Sequence, residues 1–235
     1  MCGRYVSVSS PTILAERFGA ETVRVEETEQ NFNVTPRADV PVVAVSKTTN
    51  ERTLDLVRWG LIPSWAKDMS IGDKLINARS DTVASKPAYK RAFAKRRCII
   101  PADGFYEWQK REGEKKKQPW FIRRRDGEPL AFAGLWEIWH DPEVGDDAPR
   151  IKTCTIITTD ANDLMKPIHH RMPVVLDESD WERWLDPEFG DIETLQKMLK
   201  PAPSEEFEAW EISTRVNAAA NNGPELLERA PIASA

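Results

Sequence analysis

Long apolar runs are missing from this chain of 235 residues. No stretch approaches the roughly 18 apolar residues that a membrane-crossing helix needs, and no signal-peptide core follows the start. Cysteine is scarce: Cys2, Cys98 and Cys154 stand far apart. They form neither a disulfide framework nor a C-x-x-C metal pair, which predicts a reducing, cytoplasmic setting. Histidine occurs only at 140, 169 and 170. With no ligand spacing, the expectation is no metal and no organic cofactor. A net charge of −5 excludes a uniformly basic nucleic-acid binder.

What is present is a globular composition, 40% apolar and 30% charged, with nine tryptophans. Charge is unevenly spread. Residues 86–125 hold 14 Lys/Arg against 4 acids, and residues 177–235 hold 14 acids against 5 bases. That asymmetry suits a polyanion on one face, or simply a solvated helix and hairpin loop.

Ser10-Pro11 before Thr12–Phe18 and Gly19 reads as a capped helix, and Ser85-Lys86-Pro87 opens a basic helix reaching Arg96. Glu21–Asn33 reads as loop. Val40–Val45 and Arg52–Trp59 read as strands about a polar turn, as do Phe105–Lys110 and Gln118–Arg124. Further strands are expected at Cys98–Pro101, Leu130–Trp139, Thr153–Thr159, Arg171–Leu176 and Trp210–Ser213, with helices at Asp177–Leu185 and Ile192–Leu199. Strands outnumber helices without β-α-β alternation. The expected fold is therefore one α+β domain built mainly on antiparallel, twisted sheet with peripheral helices, loosely ordered after residue 228.

Several residues carry chemistry. Removal of Met1 would expose Cys2 as an N-terminal 1,2-aminothiol, whose amine and thiol can attack one aldehyde in turn. Nearby cations can tune such a thiol down. Glu107, in Phe105-Tyr106-Glu107-Trp108, stands where desolvation raises a carboxyl pKa; the alternative is a salt-bridged strand carboxylate. His169 suits proton transfer near neutrality or a structural hydrogen bond. Asn77 and Arg79 share a face if their stretch is extended. Asn77 could hold the Cys2 amine or a sugar hydroxyl. Arg79 and Arg4 could each hold a phosphate or an acidic partner. Trp59, Pro63 and Trp65 could form a stacking platform and wedge, or packed core. Cys98 and Cys154 read as small core residues.

These motifs fall in the order of a known family. Met1–Tyr5, Asn33-Val34-Thr35-Pro36, Trp59–Trp65, Asn77–Asp81, Pro101–Trp108, Phe132–Glu137, Thr158–Asn162, His169–Pro173 and Val216-Asn217 together resemble the SRAP (SOS response-associated peptidase) family over about residues 1–228. Arg37-Ala38 departs from the small residue and Gln that many relatives carry after Pro36. The resemblance implies a sensor of abasic sites in single-stranded DNA, monomeric and associated with the nucleoid when bound. It implies a thiazolidine crosslink through Cys2, with Glu107, His169 and Asn77 in catalysis. Arg4, Arg79, Arg171, Trp59, Pro63 and Trp65 would bind DNA. Two other readings stand beside it: an N-terminal-nucleophile peptidase, and a non-covalent single-strand-binding module.

Overall fold

The computed structural model describes residues 2–145 and 148–231. Among the described residues, thirteen strands run in chain order: β1 (Tyr5–Ser7), β2 (Thr22–Val23), β3 (Asn31–Val34), β4 (Asp39–Val45), β5 (Arg52–Trp59), β6 (Asn77–Arg79), β7 (Arg97–Ala102), β8 (Gly104–Gln109), β9 (Gln118–Arg124), β10 (Leu130–Trp139), β11 (Ile151–Asp160), β12 (Arg171–Pro173) and β13 (Phe207–Glu211). Four α-helices accompany them: α1 (Pro11–Phe18), α2 (Lys90–Lys95), α3 (Trp181–Leu185) and α4 (Ile192–Lys197). The fold is mixed α+β, as expected.

One sheet has the order β13-β9-β8-β1-β3 and is antiparallel throughout. The other runs β12-β11-β10-β7-β4-β5-β2, with β6 laid parallel on β11. A parallel pairing of Cys154 with Trp59 joins β11 back to β5 and closes five strands into a barrel.

Side-chain alternation decides what fills each layer, because successive residues of a strand face opposite sides. Val40, Val42, Val57, Trp59, Cys98, Ile100, Phe132, Cys154 and Ile156 form the interior cluster. Their sequence neighbours Val43, Ile99, Ala131, Ala133 and Ile157 face outward, packed with Leu14 and Phe18 of α1, Phe93 of α2, Trp184 of α3 and Leu195 of α4. Gly134 lies in a tightly packed part of the interior. A Cβ there would stand 2.9 Å from Cys98 Sγ and from Ile100.

Local signals placed α1 correctly. Ser10 Oγ accepts from the Ile13 N–H at 3.3 Å, Pro11 opens the helix, and Gly19 closes it with φ 64°. Several expectations change, among them the strand expected over Arg171–Leu176, which ends at Pro173, and the helix expected over Asp177–Leu185, which is α-helical only from Trp181. Glu21–Asn33 contains strands β2 and β3, because these polar residues lie on sheet edges where one side faces solvent; Glu21 and Arg24 N–H groups donate to Arg52 and Leu54 carbonyls. The basic helix is α-helical only over Lys90–Lys95, with hydrogen-bonded turns before it and no side-chain cap at Tyr89. The last strand begins three residues earlier, at Phe207.

That last strand also answers the charge asymmetry in part. It lies against β9, so Glu208 meets Arg123 at 2.8 Å, Glu206 meets Arg124 at 3.5 Å, and Glu211 accepts from Arg111. Of these, Glu208 and Arg123 are directly opposed across the two strands, and such a cross-strand pair contributes about 0.2–1 kcal/mol. The acidic C-terminal region therefore neutralises part of the basic segment within the molecule. Lys110, Lys115, Lys116 and Lys117 enter no ion pair among the described residues. Of the tail expected over 229–235, Arg229 bridges to Ile212 and the Ala230 N–H donates to Glu211 O at 2.8 Å. Residues 232–235 lie outside the described residues, as does Met1 and the expectation about its removal. No helix among the described residues is long and apolar enough to cross a membrane.

Candidate active site around Cys2

Strand pairing brings the start of the chain to Glu107. In the β1–β8 ladder Tyr5 stands opposite Phe105, and the Tyr106 N–H donates to Arg4 O at 3.0 Å. The pairing thus runs past the end of β1 and lays the first residues beside Glu107. Alternation along β8 does the rest. Phe105 packs in the interior and Tyr106 on the far face with Phe121 and Trp210, so Glu107 turns to the interior side.

Cys2 is fully buried. Burial pushes its thiol pKa far up, and the nearby Glu107 charge pushes it further, against the opposing charge of the amino terminus. The expected lowering by cations is overturned: desolvation is the larger effect, and the resting thiol is neutral. Glu107 is 2% exposed. Its carboxyl pKa is raised by burial, which outweighs the opposing positive charges, that of Lys117 among them.

Asn77 closes the other side. Its Nδ2 donates to the Cys2 carbonyl at 2.8 Å. Its own backbone is fixed by pairing with Ile156, and its carbonyl accepts from Tyr89 Oη at 3.0 Å. The Asn77 Oδ1 is buried and accepts no hydrogen bond among the described residues.

His169 reaches the site through the turn before β12. Asn162 Oδ1 accepts from the Met165 N–H at 3.0 Å, and Gln109 Nε2 donates to Pro167 O at 3.0 Å. The second bond ties this turn to the strand that carries Glu107. His169 Nδ1 lies 3.0 Å from the Arg171 N–H and 3.1 Å from its carbonyl. The neutral ring accepts from the amide; the imidazolium donates to the carbonyl. Both protonation states therefore have a partner in one geometry. Burial lowers the His169 pKa, helped by the amino-terminal charge. His170 stacks on it with centroids 4.4 Å apart.

The expected DNA ligands separate into inner and outer groups. Trp59 is fully buried, and its indole N–H donates to Ile76 O at 2.9 Å. It braces the strand bearing Asn77 and has no face for a base. Pro63 is buried too, whereas Trp65 is 56% exposed. Arg171 is 4% exposed and donates to Asp160 at 2.9 Å and to Thr158, so it anchors β12 and with it His169. Arg4 donates to Asn33 Oδ1 and Val216 O, both at 2.8 Å, holding the C-terminal turn over β1 and β3. Arg79 is exposed and paired with the equally exposed Asp81 at 2.7 Å. Two contributors, Tyr89 and Lys117, were not singled out from the sequence, and Asn33 stood there only as part of the Asn33-Val34-Thr35-Pro36 motif. Tyr89 donates to the Asn77 carbonyl and Asn33 to the carbonyls of Val216, Ala218 and Asn221, and backbone acceptors leave no pattern that would assign these roles. Lys117 was visible only as one charge in the basic segment.

A family model described as SOS response associated peptidase (SRAP) matches residues 1–219. The chain is 42% identical over 229 residues to the abasic site processing protein YoqW of Bacillus subtilis, covering 97% of this chain and 99% of the relative. It is 36% identical to the abasic site processing protein HMCES of Gallus gallus, covering 88% of this chain and 68% of that one. A crystal structure of a Bacteroides thetaiotaomicron protein superposes with a TM-score of 0.85 at 28% identity, over 98% of this chain and 100% of the other. With its motifs in order and its matching extent, the chain belongs to the SRAP family.

Proposed function

We propose that this chain processes abasic sites in single-stranded DNA by joining itself to them through Cys2 once Met1 has been removed. The observation that carries the reading is the enclosure of Cys2 with Glu107, with Asn77 holding the Cys2 carbonyl. The names of the relatives, abasic site processing proteins, point the same way.

The ring-opened sugar of an abasic site carries an aldehyde. The Cys2 amine adds to it, giving a carbinolamine. Its hydroxyl takes a proton and leaves as water, giving an iminium. The Cys2 sulfur then adds to the iminium carbon and gives up its proton, closing a five-membered thiazolidine. One water is released per crosslink. An iminium left open would lose a proton from the neighbouring sugar carbon, and the strand would break by β-elimination; ring closure removes it.

The proton transfers need side chains that can give and take protons at the reacting centre. Glu107, with its pKa raised, donates to the departing hydroxyl and then accepts the thiol proton. His169, with its pKa lowered, is a neutral acceptor that helps open the sugar ring. The sulfur follows the amine because it closes the ring on the iminium carbon that condensation of the amine creates. Arg79 can exchange Asp81 for a phosphate, and Trp65 offers a face to a base.

The test is the intact protein, its N-terminus verified by mass spectrometry, mixed with single-stranded DNA holding one abasic site. A heat-stable adduct on a denaturing gel that vanishes in Cys2→Ala supports the reading. Binding without an adduct would replace it with a non-covalent module, and turnover on peptides without an adduct would replace it with a peptidase. Cys2→Ser keeps the amine and should give more strand cleavage; intact DNA in that variant would remove the sulfur step.

A further inference from the structure

The barrel has two ends, and only one is occupied by the Cys2 site. At that end Tyr5 packs edge-on against Trp59 and Phe132, with centroids 5.3 and 6.1 Å away. At the other end the interior is open. A cavity of about 260 Å³ is lined by Val42, Ala44, Val57, Trp136 and Ile138, with Lys152 beside them.

Strand alternation explains why these walls are apolar. Val42 and Ala44 continue the interior face of β4 beyond Val40, and Val57 that of β5 beyond Trp59. Trp136 and Ile138 continue that of β10 beyond Phe132. On β4 and β5 the walls at this end are the short side chains Val42, Ala44 and Val57, facing Trp136 and Ile138 of β10.

The rim is charged, and unevenly. Among the described residues Asp55 is the one carboxylate of the lining, shared by Lys152 and by Arg24 at 3.6 Å, and Lys47 stands on the same rim in no ion pair. Three cations for one acid leave the mouth positive. The Trp136 indole N–H donates to no protein group among the described residues. An apolar pocket with a few convergent polar groups is the usual form of a small-molecule site. This one is smaller than the roughly 300–1,000 Å³ that holds drug-sized ligands, which limits the occupant to one or two rings.

We propose that this end of the barrel binds a small aromatic carboxylate. Its ring lies against Trp136, Val42 and Val57, and its carboxylate faces Lys152, Lys47 and Arg24. The site is separate from the Cys2 chemistry and does not depend on it.

The test is calorimetric titration of the full chain with 1-naphthoate, with 1-naphthol as the uncharged control. The expected result is one-to-one binding of the carboxylate, tighter than the alcohol. Ala44→Leu fills the cavity and should weaken binding at least tenfold while still forming the DNA adduct. Lys47→Ala, which breaks no ion pair, should weaken it about two- to fivefold, the size of an exposed charge pair. Cys2→Ala should bind naphthoate as wild type does, so this proposal and the crosslinking reading fail separately. No binding at millimolar naphthoate, unchanged affinity in Ala44→Leu, or equal affinity for 1-naphthol would each overturn it.

Discussion

Cys2 and the pair Cys98–Cys154 occupy two buried regions of one apolar interior. Burial pushes all three thiol pKa values up. The neighbours differ. Cys98 and Cys154 stand on the central strands β7 and β11, Cys98 packed against Gly134. Cys2 has Glu107's charge beside it and an amide of Asn77 on its carbonyl. On the proposed reading, burial alone makes a thiol neither reactive nor inert. What counts is whether the groups that can move its proton are buried with it.

The largest effect expected from this contrast is all-or-none. The double variant Cys98→Ala/Cys154→Ala should form the abasic-site adduct to the wild-type extent on a denaturing gel, while a tag or retained residue ahead of Cys2 abolishes it. Adduct formation by the tagged chain would erase the contrast. Next comes packing. Phe132→Ala, between Tyr5 and Phe105, should cost about 3–5 kcal/mol in denaturant unfolding. Gly134→Ala should cost about 1–3 kcal/mol, since its Cβ would meet Cys98 and Ile100; a neutral result would show that the interior around these cysteines can yield.

The smallest effect is a slope. The Glu107 pKa is raised in the fold above its ordinary 4.5. Below 4.5 both folded and unfolded chains hold the proton and no penalty arises. As pH climbs from 4.5 through the folded value, the unfolded chain ionises first, so stability falls. Glu107→Gln should remove that decline in unfolding curves taken across pH. His169 acts in the opposite direction. Its folded pKa is lowered from 6.5, so its contribution is present above 6.5 and is lost as pH falls through the folded value. His169→Gln should flatten the acid side.

Much of the fold was legible because its signals are local. The helix α1 carries its own caps, and the hairpins β4–β5 and β8–β9 carry their alternation and polar turns. The edge strands β2 and β3 were not legible, since neighbouring backbone supplies their pairing. For the site, the order of motifs identified the family, and an aromatic context marked Glu107 for desolvation. Motif order did not separate Trp59 from Trp65, nor Arg171 from Arg79. One member of each pair is buried and braces the site, and the other is exposed.

The sequence by itself determined most of the central strands and the capped helix α1, the family, and the candidate chemistry of Cys2, Glu107 and His169. Only the tertiary structure decided which side chains face inward, and that the expected cationic help to the thiol gives way to desolvation. The reason is closure. The parallel contact between Cys154 on β11 and Trp59 on β5 joins segments 95 residues apart, so no local pattern announces it. Yet that contact defines an inside, and with it which side chains of the five barrel strands are interior.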